Sequence, residues 1–537
     1  MTDADLHPEN ILVIQLARFG DFLQTTPLLA ALKARYPHSE LTVLVTANQA
    51  ELARTNPNLD AVLTVDLGNL AEIAQRRTLL SEKFKELSTA VKGLKALEYD
   101  LLINLNTSRV AALLGHLIPA KKRQGSHFGQ DRRRLLTAPW TRFIMHLMAH
   151  RRLIRFNLVD LLTTYAGHGV PPSAGLTYPL TSETARLASD LLGPGLNGPL
   201  LGIQLGSRHK SRQWPVENYA CLGQKLIMEQ GAHLVLLGTN EERSLGQDFM
   251  ARLGRTAPQA RIRVIDLMGR TSVPGLAGVL DRLDLLITSD TGSMHLAAAL
   301  KTPILALFMG PALCHETGPC GPGHLIAQVV TDCSPCTEDE SRCSEMVCRF
   351  MIKPSLVFSL ARYLLSQKAS DLPGREMLGS NVRILVSEMD DFGTIYRPLI
   401  PWPLDREEIL ALAFREAGRS FMRAGYRVQE EKLGSEFMNF EPSELPGLGN
   451  LVRRLVELEE FLPLRKDRGP VTDIIKIGTE EPELKPLIRT LLIPEVSPKT
   501  AQGMVQNMRA VISKALSYSS SRVDTGRQSC LFQKAMG

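Results

Sequence analysis

The sequence predicts an α/β protein in which two Rossmann-like domains face one cleft, followed by a mostly helical C-terminal extension. Short apolar segments alternate with amphipathic segments as far as about residue 366, as is typical of parallel sheets covered by helices. Pro- and Gly-rich stretches at residues 170–173 and 193–195 interrupt this alternation and indicate a linker. We therefore expect domains at residues 1–180 and 195–366 and the extension at 370–537.

Composition sets the class of protein. The 537 residues are 44% hydrophobic and 22% charged, which are ordinary values for globular domains, and the net charge is only +6. The chain has no apolar run of the ~20 residues that a membrane span needs, and its N-terminus is polar and acidic. Eight cysteines are too few for a disulfide scaffold of this length. We expect a cytoplasmic protein of several domains.

The first domain is predicted to open with a strand at residues 11–16 and a turn at residues 17–21 (ARFGD). Thr26-Pro27 is predicted to begin the first helix, because proline is favoured in a first helical turn. Asp21 then lies at the carboxyl end of the strand, the edge where open α/β sheets bind ligands. Further strands are predicted at residues 41–46, 61–65 and 100–105, and residues 70–97 are predicted to be mostly helical.

Residues 121–155 form a strongly basic stretch with interleaved aromatic residues and methionines. It contains ten lysines and arginines and one acidic residue, Asp131. This pattern suits an anionic ligand or a membrane surface, and a solvated helix face with a loop is the plain structural alternative. No nucleic-acid-binding motif accompanies it, so we do not expect a nucleic-acid partner.

The second domain repeats the alternation of strands and helices. Its strands are predicted at residues 200–205, 233–237, 263–267, 284–288 and 304–308, with a closing helix at 354–365. A polar turn, Ser289-Asp290-Thr291-Gly292, separates the fourth strand from the helix that follows. Free N–H groups at such a helix start hold phosphates, so this turn is a candidate phosphate site.

Four cysteines cluster after the last predicted strand of this domain. They are spaced as Cys333-x2-Cys336-x6-Cys343-x4-Cys348. Four thiolates ligate zinc tetrahedrally in many small sites, but the second spacing is not that of a standard zinc ribbon. A structural zinc site and a set of reduced thiols both remain open.

The extension carries apolar residues at helical spacing and no recognisable chemistry. Two sets define one helix face each: Leu451, Leu455, Leu458 and Leu462, and Met504, Met508, Val511 and Leu516. We expect an accessory or oligomerisation module.

Residues 10 to 366 resemble glycosyltransferase family nine, the bacterial heptosyltransferases. The segments that carry the resemblance are ILVIQLARFGDFLQTTPLLAALKARYP, GSRHKSRQWPVENYA, LMGRTSVPGLAGVL and SDTGSMHLAAALKTPILALF. The resemblance implies the two-domain GT-B fold. It also implies inverting, metal-independent transfer of a heptose or a related sugar from an ADP-sugar such as ADP-heptose to the lipopolysaccharide core or a similar glycan acceptor, without a cofactor. The acceptor would be anionic and lie at the inner membrane, which suits the basic stretch and makes Arg132, Arg133, Arg134 and Arg151 acceptor-binding candidates.

The resemblance implies that Asp21 is the general base. The reaction needs a base because the acceptor hydroxyl must lose its proton while it attacks the anomeric carbon of the donor sugar. A purely structural role, capping the first helix, is the alternative.

The resemblance also implies that Asp290, Thr291, Gly292 and His295 contact the donor through its sugar hydroxyls and pyrophosphate. A helix cap is the structural alternative for Asp290, and a buried histidine without a ligand is the alternative for His295.

A basic residue before Trp214-Pro215 is a further donor contact in this family. The family usually has lysine two positions before the tryptophan, and this chain has Arg212 there, which keeps the positive charge but adds a planar fork. Lys210 and Ser207 are further candidates for the donor diphosphate.

Two other functions fit the same features. One is a sugar-nucleotide epimerase or hydrolase on the same fold. The other is a non-catalytic nucleotide-sugar-binding scaffold. Asp21 beside an intact Asp290-Thr291-Gly292 turn favours the transferase.

Overall fold

In the computed structural model the chain forms two compact units. Unit 1 comprises Met1–Thr137, Asn157–Val382 and Ser387–Thr394, and unit 2 comprises Ala138–Phe156, Arg383–Val386 and Ile395–Gly537. The structure describes residues 7–69, 98–129, 134–137, 139–167, 175–337, 345–422, 447–462, 479–492 and 496–535, with single positions or short pieces at 72, 82, 89, 92–95, 343, 476 and 477. The helix predicted at 70–97 lies largely outside the described residues.

The first sheet of unit 1 is mostly parallel. Its strands are β1 (Asn10–Ile14), β2 (Glu40–Thr46), β3 (Ala61–Val65), β4 (Tyr99–Asn104), β5 (Ala120–Phe128) and β6 (Arg134–Thr137). Their order is β3-β2-β1-β4-β5-β6, and only β6 runs antiparallel to its neighbour. The strand order reverses between β1 and β4. In open α/β sheets ligands bind at the carboxyl ends of the strands at such a reversal.

The second sheet of unit 1 also has parallel strands whose order reverses at one point. It contains β7 (Leu200–Gln204), β8 (His233–Leu237), β9 (Val264–Asp266), β10 (Leu285–Ser289), β11 (Ile304–Phe308) and β12 (Leu325–Val329). They are parallel and follow the order β12-β11-β10-β7-β8-β9, which reverses between β10 and β7. The predicted α/β fold with two Rossmann-like sheets is confirmed.

Helices cover both sheets. Those of unit 1 are α1 (Phe19–Arg35), α2 (Ala50–Arg54), α3 (Arg109–Leu117), α5 (Leu158–Thr163), α6 (Ser182–Leu192), α7 (Val216–Gln230), α8 (Arg243–Thr256), α9 (Val273–Asp281), α10 (Gly292–Ala299), α11 (Cys314–Thr317) and α12 (Pro354–Ser366). Helix α4 (Pro139–Leu147) belongs to unit 2. The closing helix predicted at 354–365 is therefore present as α12.

Unit 2 is mainly helical. Besides α4 it contains α13 (Arg406–Met422), α14 (Leu448–Phe461), α15 (Lys485–Leu491) and α16 (Pro498–Ala535). Leu451, Leu455 and Leu458 on one face of α14 are fully buried, as their spacing predicts. Two strands in this part of the chain, β13 (Val382–Met389) and β14 (Thr394–Pro398), contain residues of both units and were not predicted.

The first helix begins seven residues earlier than predicted. Helix α1 starts at Phe19 and continues through Pro27, so the expected start at Thr26-Pro27 is wrong. A proline inside a helix leaves the carbonyl four residues before it without its N–H partner. Here the Thr26 hydroxyl donates to that carbonyl, Leu23 O, at 2.8 Å, so the helix continues.

Replacing Thr26 with Val tests how this helix tolerates Pro27. The side chain is 1% exposed, and its hydroxyl also accepts the Thr177 N–H at 3.1 Å. Losing both bonds leaves the buried Leu23 carbonyl and the Thr177 N–H without these partners, so we expect a loss of about 2 kcal/mol in unfolding free energy. Urea unfolding of Thr26→Val and, as a control, Thr26→Ser measures it. A Val variant as stable as wild type contradicts the role of the hydroxyl.

Candidate functional site

The turn after β10 places a buried carboxylate at the reversal point of the second sheet. Asp290 accepts hydrogen bonds at Oδ2 from Arg212 Nη1 at 2.8 Å and from the Thr317 hydroxyl at 3.2 Å. The side chains of Asp290 and Arg212 are 8% and 17% exposed. Burial raises the pKa of Asp290, and Arg212 and Thr317 act against that rise. Arg212 follows β7, so the two central strands of the sheet each supply one member of this pair.

The neighbouring residues complete the turn. Thr291 precedes α10, and its hydroxyl lies 3.0 Å from that of Thr288 at the end of β10. The Ser293 hydroxyl donates to Gln204 Oε1 at 2.9 Å, which ties the first turn of α10 to the end of β7. The first N–H groups of α10 therefore lie beside the Asp290–Arg212 pair.

His295 lies in the first turns of α10 and is 4% exposed. Its Nε2 is 3.3 Å from Gln24 Nε2 and 4.0 Å from Asp290 Oδ1. Burial lowers the pKa of His295 to about 4, so the imidazole is neutral at pH 7 and offers one N–H donor. His295 therefore acts toward a ligand as a hydrogen-bond donor, not as a cation.

Two glycines bring the start of α1 against the start of α10. A Cβ at Gly20 would lie 2.9 Å from His295 Cδ2, and a Cβ at Gly292 would lie 2.8 Å from Phe19 Cδ1. Real Cβ atoms do not approach so closely, so both positions require glycine for this contact. The approach places Asp21, the residue after Gly20, next to the donor-turn candidates.

Asp21 lies in the first turn of α1 and not in a loop before it. Its Oδ2 accepts the backbone N–H of Arg18, the residue that precedes the helix, at 2.8 Å. The capping role weighed as the structural alternative is therefore present. A carboxylate has further acceptor positions, and Asp21 is only half-buried, so this bond leaves it able to contact a ligand.

Three amide side chains hold the turn that leads to Asp21. Gln15 Oε1 accepts the Ala17 N–H at 3.2 Å, and Asn106 Oδ1 accepts the Leu16 N–H at 3.0 Å. The Gln49 amide donates to Ala17 O. These bonds come from the ends of β1, β2 and β4, so the reversal point of the first sheet fixes the backbone that carries Asp21.

The loop after β7 carries the remaining donor candidates. Ser207 is half-buried and Lys210 is exposed, while Arg212 turns inward to Asp290. Trp214 is fully buried and donates from Nε1 to Ile352 O at 3.0 Å, so its role is to pack. The Arg349 guanidinium also donates to Gln213 O at 2.6 Å.

Two residues of this site were not predicted. Thr317 comes from α11 and shows no motif in the sequence. Gln24 lies one helical turn after Asp21 on the same face of α1. It was missed because the helix was predicted to begin only at Thr26-Pro27, after Gln24.

Part of the basic stretch has structural roles. In unit 2, Arg155 Nη2 donates to Glu408 at 2.8 Å, and Arg152 pairs with Glu407 at 3.4 Å. In unit 1, Arg123 donates to three backbone carbonyls near the end of α3. These residues are structural, but they form ion pairs and backbone hydrogen bonds and do not make up a solvated helix face.

The four acceptor-binding candidates are placed only in part. Arg132 and Arg133 lie outside the described residues, and Arg134 begins β6, with its side chain also outside them. Arg151 lies in unit 2, in the short 3-10 segment Met148–Leu153.

The four clustered cysteines form no disulfide bonds. Cys333 and Cys343 are exposed, and Cys336 and Cys348 are intermediate. Burial raises the pKa of both Cys336 and Cys348, and the nearby thiols of the cluster add to that rise. In the described part of the chain, no group of three or more His, Cys, Asp or Glu side chains is arranged to hold a metal ion. The zinc alternative therefore gains no support from these residues.

None of the described helices combines the length and the apolar character that crossing a bilayer requires.

Two buried histidines predict a loss of stability in mild acid. Burial lowers the pKa of His295 and of His324 to about 4, from an ordinary value of 6.5. Between these values the unfolded chain binds protons that the folded chain does not, so stability falls as pH drops from 6.5 toward 4. The full shift corresponds to roughly 3 kcal/mol for each histidine.

Urea unfolding of wild type and His324→Gln at pH 7.5, 6 and 5 measures this effect. The variant is expected to lose less stability than wild type between pH 7.5 and 5. Equal losses in the two proteins contradict the assignment to His324.

Comparisons with known proteins show what the chain is similar to. Residues 88–347 match the model of glycosyltransferase family 9 (heptosyltransferase). The chain is 26% identical over 291 residues to lipopolysaccharide heptosyltransferase 3 of Escherichia coli, covering 54% of this chain and 80% of that protein. It is 27% identical over 331 residues to lipopolysaccharide heptosyltransferase 2 of Salmonella typhimurium, covering 60% and 88%.

A solved structure supports the fold. The glycosyl transferase family 9 protein from Veillonella parvula superposes with a TM-score of 0.54 at 22% identity, over 67% of this chain and 98% of that one. The resemblance to glycosyltransferase family 9 is thus confirmed over residues 88–347, and the chain is a glycosyltransferase similar to the heptosyltransferases.

Proposed function

We propose that the chain transfers a heptose from ADP-heptose to the lipopolysaccharide core, with inversion at the anomeric carbon and without a metal ion. The observation that carries this proposal is the close approach of the Asp21 helix to the Asp290 turn through Gly20 and Gly292. It puts a carboxylate beside a set of anion-binding groups. The names of the relatives, which are lipopolysaccharide heptosyltransferases, support the choice of sugar and acceptor.

In the proposed reaction Asp21 accepts the proton of the acceptor hydroxyl. The hydroxyl oxygen forms a bond to the anomeric carbon as the bond from that carbon to the β-phosphate oxygen breaks. The electron pair leaves with ADP. Asp21 suits this role because three amide side chains fix the turn that leads to it. A general base must first be correctly positioned to accept the proton.

The negative charge that develops on ADP needs a counter-charge and hydrogen-bond donors. Arg212, the N–H of His295 and the N-terminal N–H groups of α10 supply them in one place. Ser207 and Lys210, on the loop after β7, add a hydroxyl and an ammonium group. Because these groups balance the leaving diphosphate, we expect full activity in the presence of EDTA.

Arg132, Arg133, Arg134 and Arg151 are proposed to bind the anionic acceptor. Phosphates of the lipopolysaccharide core pair well with arginines, and the lipid part of the acceptor brings the reaction to the cytoplasmic face of the inner membrane. The two domains of the transferase, at 1–180 and 195–366, and the accessory extension at 370–537 belong to the same proposal.

Donor turnover with and without acceptor tests the function. Purified protein is incubated with a panel of nucleotide sugars that includes ADP-heptose, and the released nucleotide is measured by mass spectrometry. Release of ADP only when a core acceptor is present supports transfer. Conversion of the donor without acceptor indicates an epimerase or hydrolase, and binding without turnover indicates a scaffold.

A further inference from the structure

Gln24 and His295 each have a buried polar atom that forms no hydrogen bond within the described part of the chain. The two side chains are 3% and 4% exposed. Gln24 Oε1 and His295 Nδ1 have no hydrogen-bond partner among the residues that the structure describes. Buried amide and imidazole atoms are nearly always paired, and an unpaired one marks a place where a ligand or water completes the bonding.

The partners that the two residues do have fix the character of these atoms. Gln24 Nε2 donates to Gly20 O at 3.5 Å and lies 3.3 Å from His295 Nε2. With the amide N–H donated to His295 Nε2, the proton of the neutral imidazole is on Nδ1. The pair therefore offers one acceptor, Gln24 Oε1, and one donor, His295 Nδ1–H.

The ligand that completes such a pair must itself donate a hydrogen bond. The diphosphate of a nucleotide sugar has only acceptor oxygens at pH 7, so it suits His295 Nδ1–H and cannot serve Gln24 Oε1. A sugar hydroxyl both donates and accepts, so it suits the amide oxygen.

The position of Gln24 indicates which sugar supplies the hydroxyl. Gln24 lies three residues after Asp21, which puts the two side chains on one face of α1. His295, its contact, is 4.0 Å from Asp290. The group between the base and the donor turn is the sugar that is being transferred.

We propose that Gln24 is a specificity-determining residue that accepts a hydrogen bond from one hydroxyl of the transferred sugar, while its amide N–H orients His295 toward the same donor. This inference rests on the proposed transferase function. Burial of His295, which keeps its imidazole neutral, is consistent with the pairing.

The test compares Gln24→Met with wild type on a panel of donors that each lack one sugar hydroxyl. Met fills a similar volume without polar atoms. Wild type is expected to prefer the natural donor over one of these analogues by roughly tenfold in kcat/KM, the value of about one hydrogen bond. Gln24→Met is expected to use the natural donor and this analogue equally well. Its preference for the natural donor over each of the other analogues is expected to remain.

Two further variants separate the amide oxygen from packing. Gln24→Glu keeps an acceptor oxygen and is expected to retain the preference. If the Met variant does not fold, Gln24→Leu, which also lacks polar side-chain atoms, replaces it and is expected to lose the preference. Gln328→Met is the matched control, since Gln328 is also a buried glutamine but its amide is fully paired within the fold. It is expected to change stability and leave the preference intact.

An equal fall in kcat/KM for every donor, or no change, overturns the inference and indicates packing alone. The inference is also overturned if Gln24→Met changes the preference among acceptors that lack one hydroxyl and leaves the preference among the donors unchanged. Failure of the transferase function itself is distinguished because wild type then transfers no sugar from any donor, including ADP-heptose.

Discussion

Replacing Asp21 with Asn is expected to lower kcat by about 10²- to 10⁴-fold and to leave donor affinity nearly unchanged. The Asn side chain still has an oxygen to accept the Arg18 N–H, which Asp21 accepts at 2.8 Å. The start of α1 is therefore preserved while the base is removed. Rates with saturating donor and acceptor, together with donor titration by calorimetry, measure the two effects separately.

Two comparisons isolate the catalytic role of Asp21. Asp21→Ala removes the capping bond as well and is expected to lose about 1 kcal/mol of unfolding free energy that Asp21→Asn keeps. Asp100→Asn is the control at the opposite edge of the sheet, where Asp100 accepts the N–H groups of Glu9 and Asn10. It is expected to retain kcat. Near wild-type turnover by Asp21→Asn contradicts a role as base.

Replacing Arg212 with Met is expected to lower kcat/KM for the donor by about 10²- to 10³-fold, because a charge-assisted bond to the leaving diphosphate is lost. It also leaves Asp290 as a buried carboxylate without its cation, which typically costs about 3–5 kcal/mol of stability. Steady-state kinetics and urea unfolding measure the two losses. Arg212→Lys keeps the charge and is expected to lie between Met and wild type.

The double variant Arg212→Met with Asp290→Asn separates stability from donor binding. It removes both charges of the buried pair, so most of the lost stability is expected to return. Donor kcat/KM is expected to stay low, because the diphosphate still lacks its counter-charge. Recovery of both quantities together contradicts the proposed contact between Arg212 and the donor.

The parts of this fold that follow from local pattern were predictable. The residues of β10 and β11 are buried on both faces, and continuous apolar runs are the sequence signature of such strands. β5 (AKKRQGSHF) was missed because it carries no such apolar run. The early start of α1 was missed because Arg18 is not a usual capping residue.

The candidate site was predictable only where a motif marks it. Asp21 and Asp290 follow strands and carry family motifs. The bond between Arg212 and Asp290 joins residues 78 positions apart, and the contact between Gln24 and His295 spans 271. The first pairing depends on which strands are neighbours in the second sheet and the second on how α1 and α10 meet, and no local pattern encodes either.

The most direct measurement is the mass of a heptose-deficient lipopolysaccharide core after incubation with the purified protein and ADP-heptose. If Asp21 and the Asp290 turn form one transferase site, each acceptor gains the mass of one heptose and one ADP appears for each product. Asp21→Asn then gives neither, although it binds the donor. ADP formed at the same rate without acceptor, or an acceptor whose mass never changes, contradicts a transferase site.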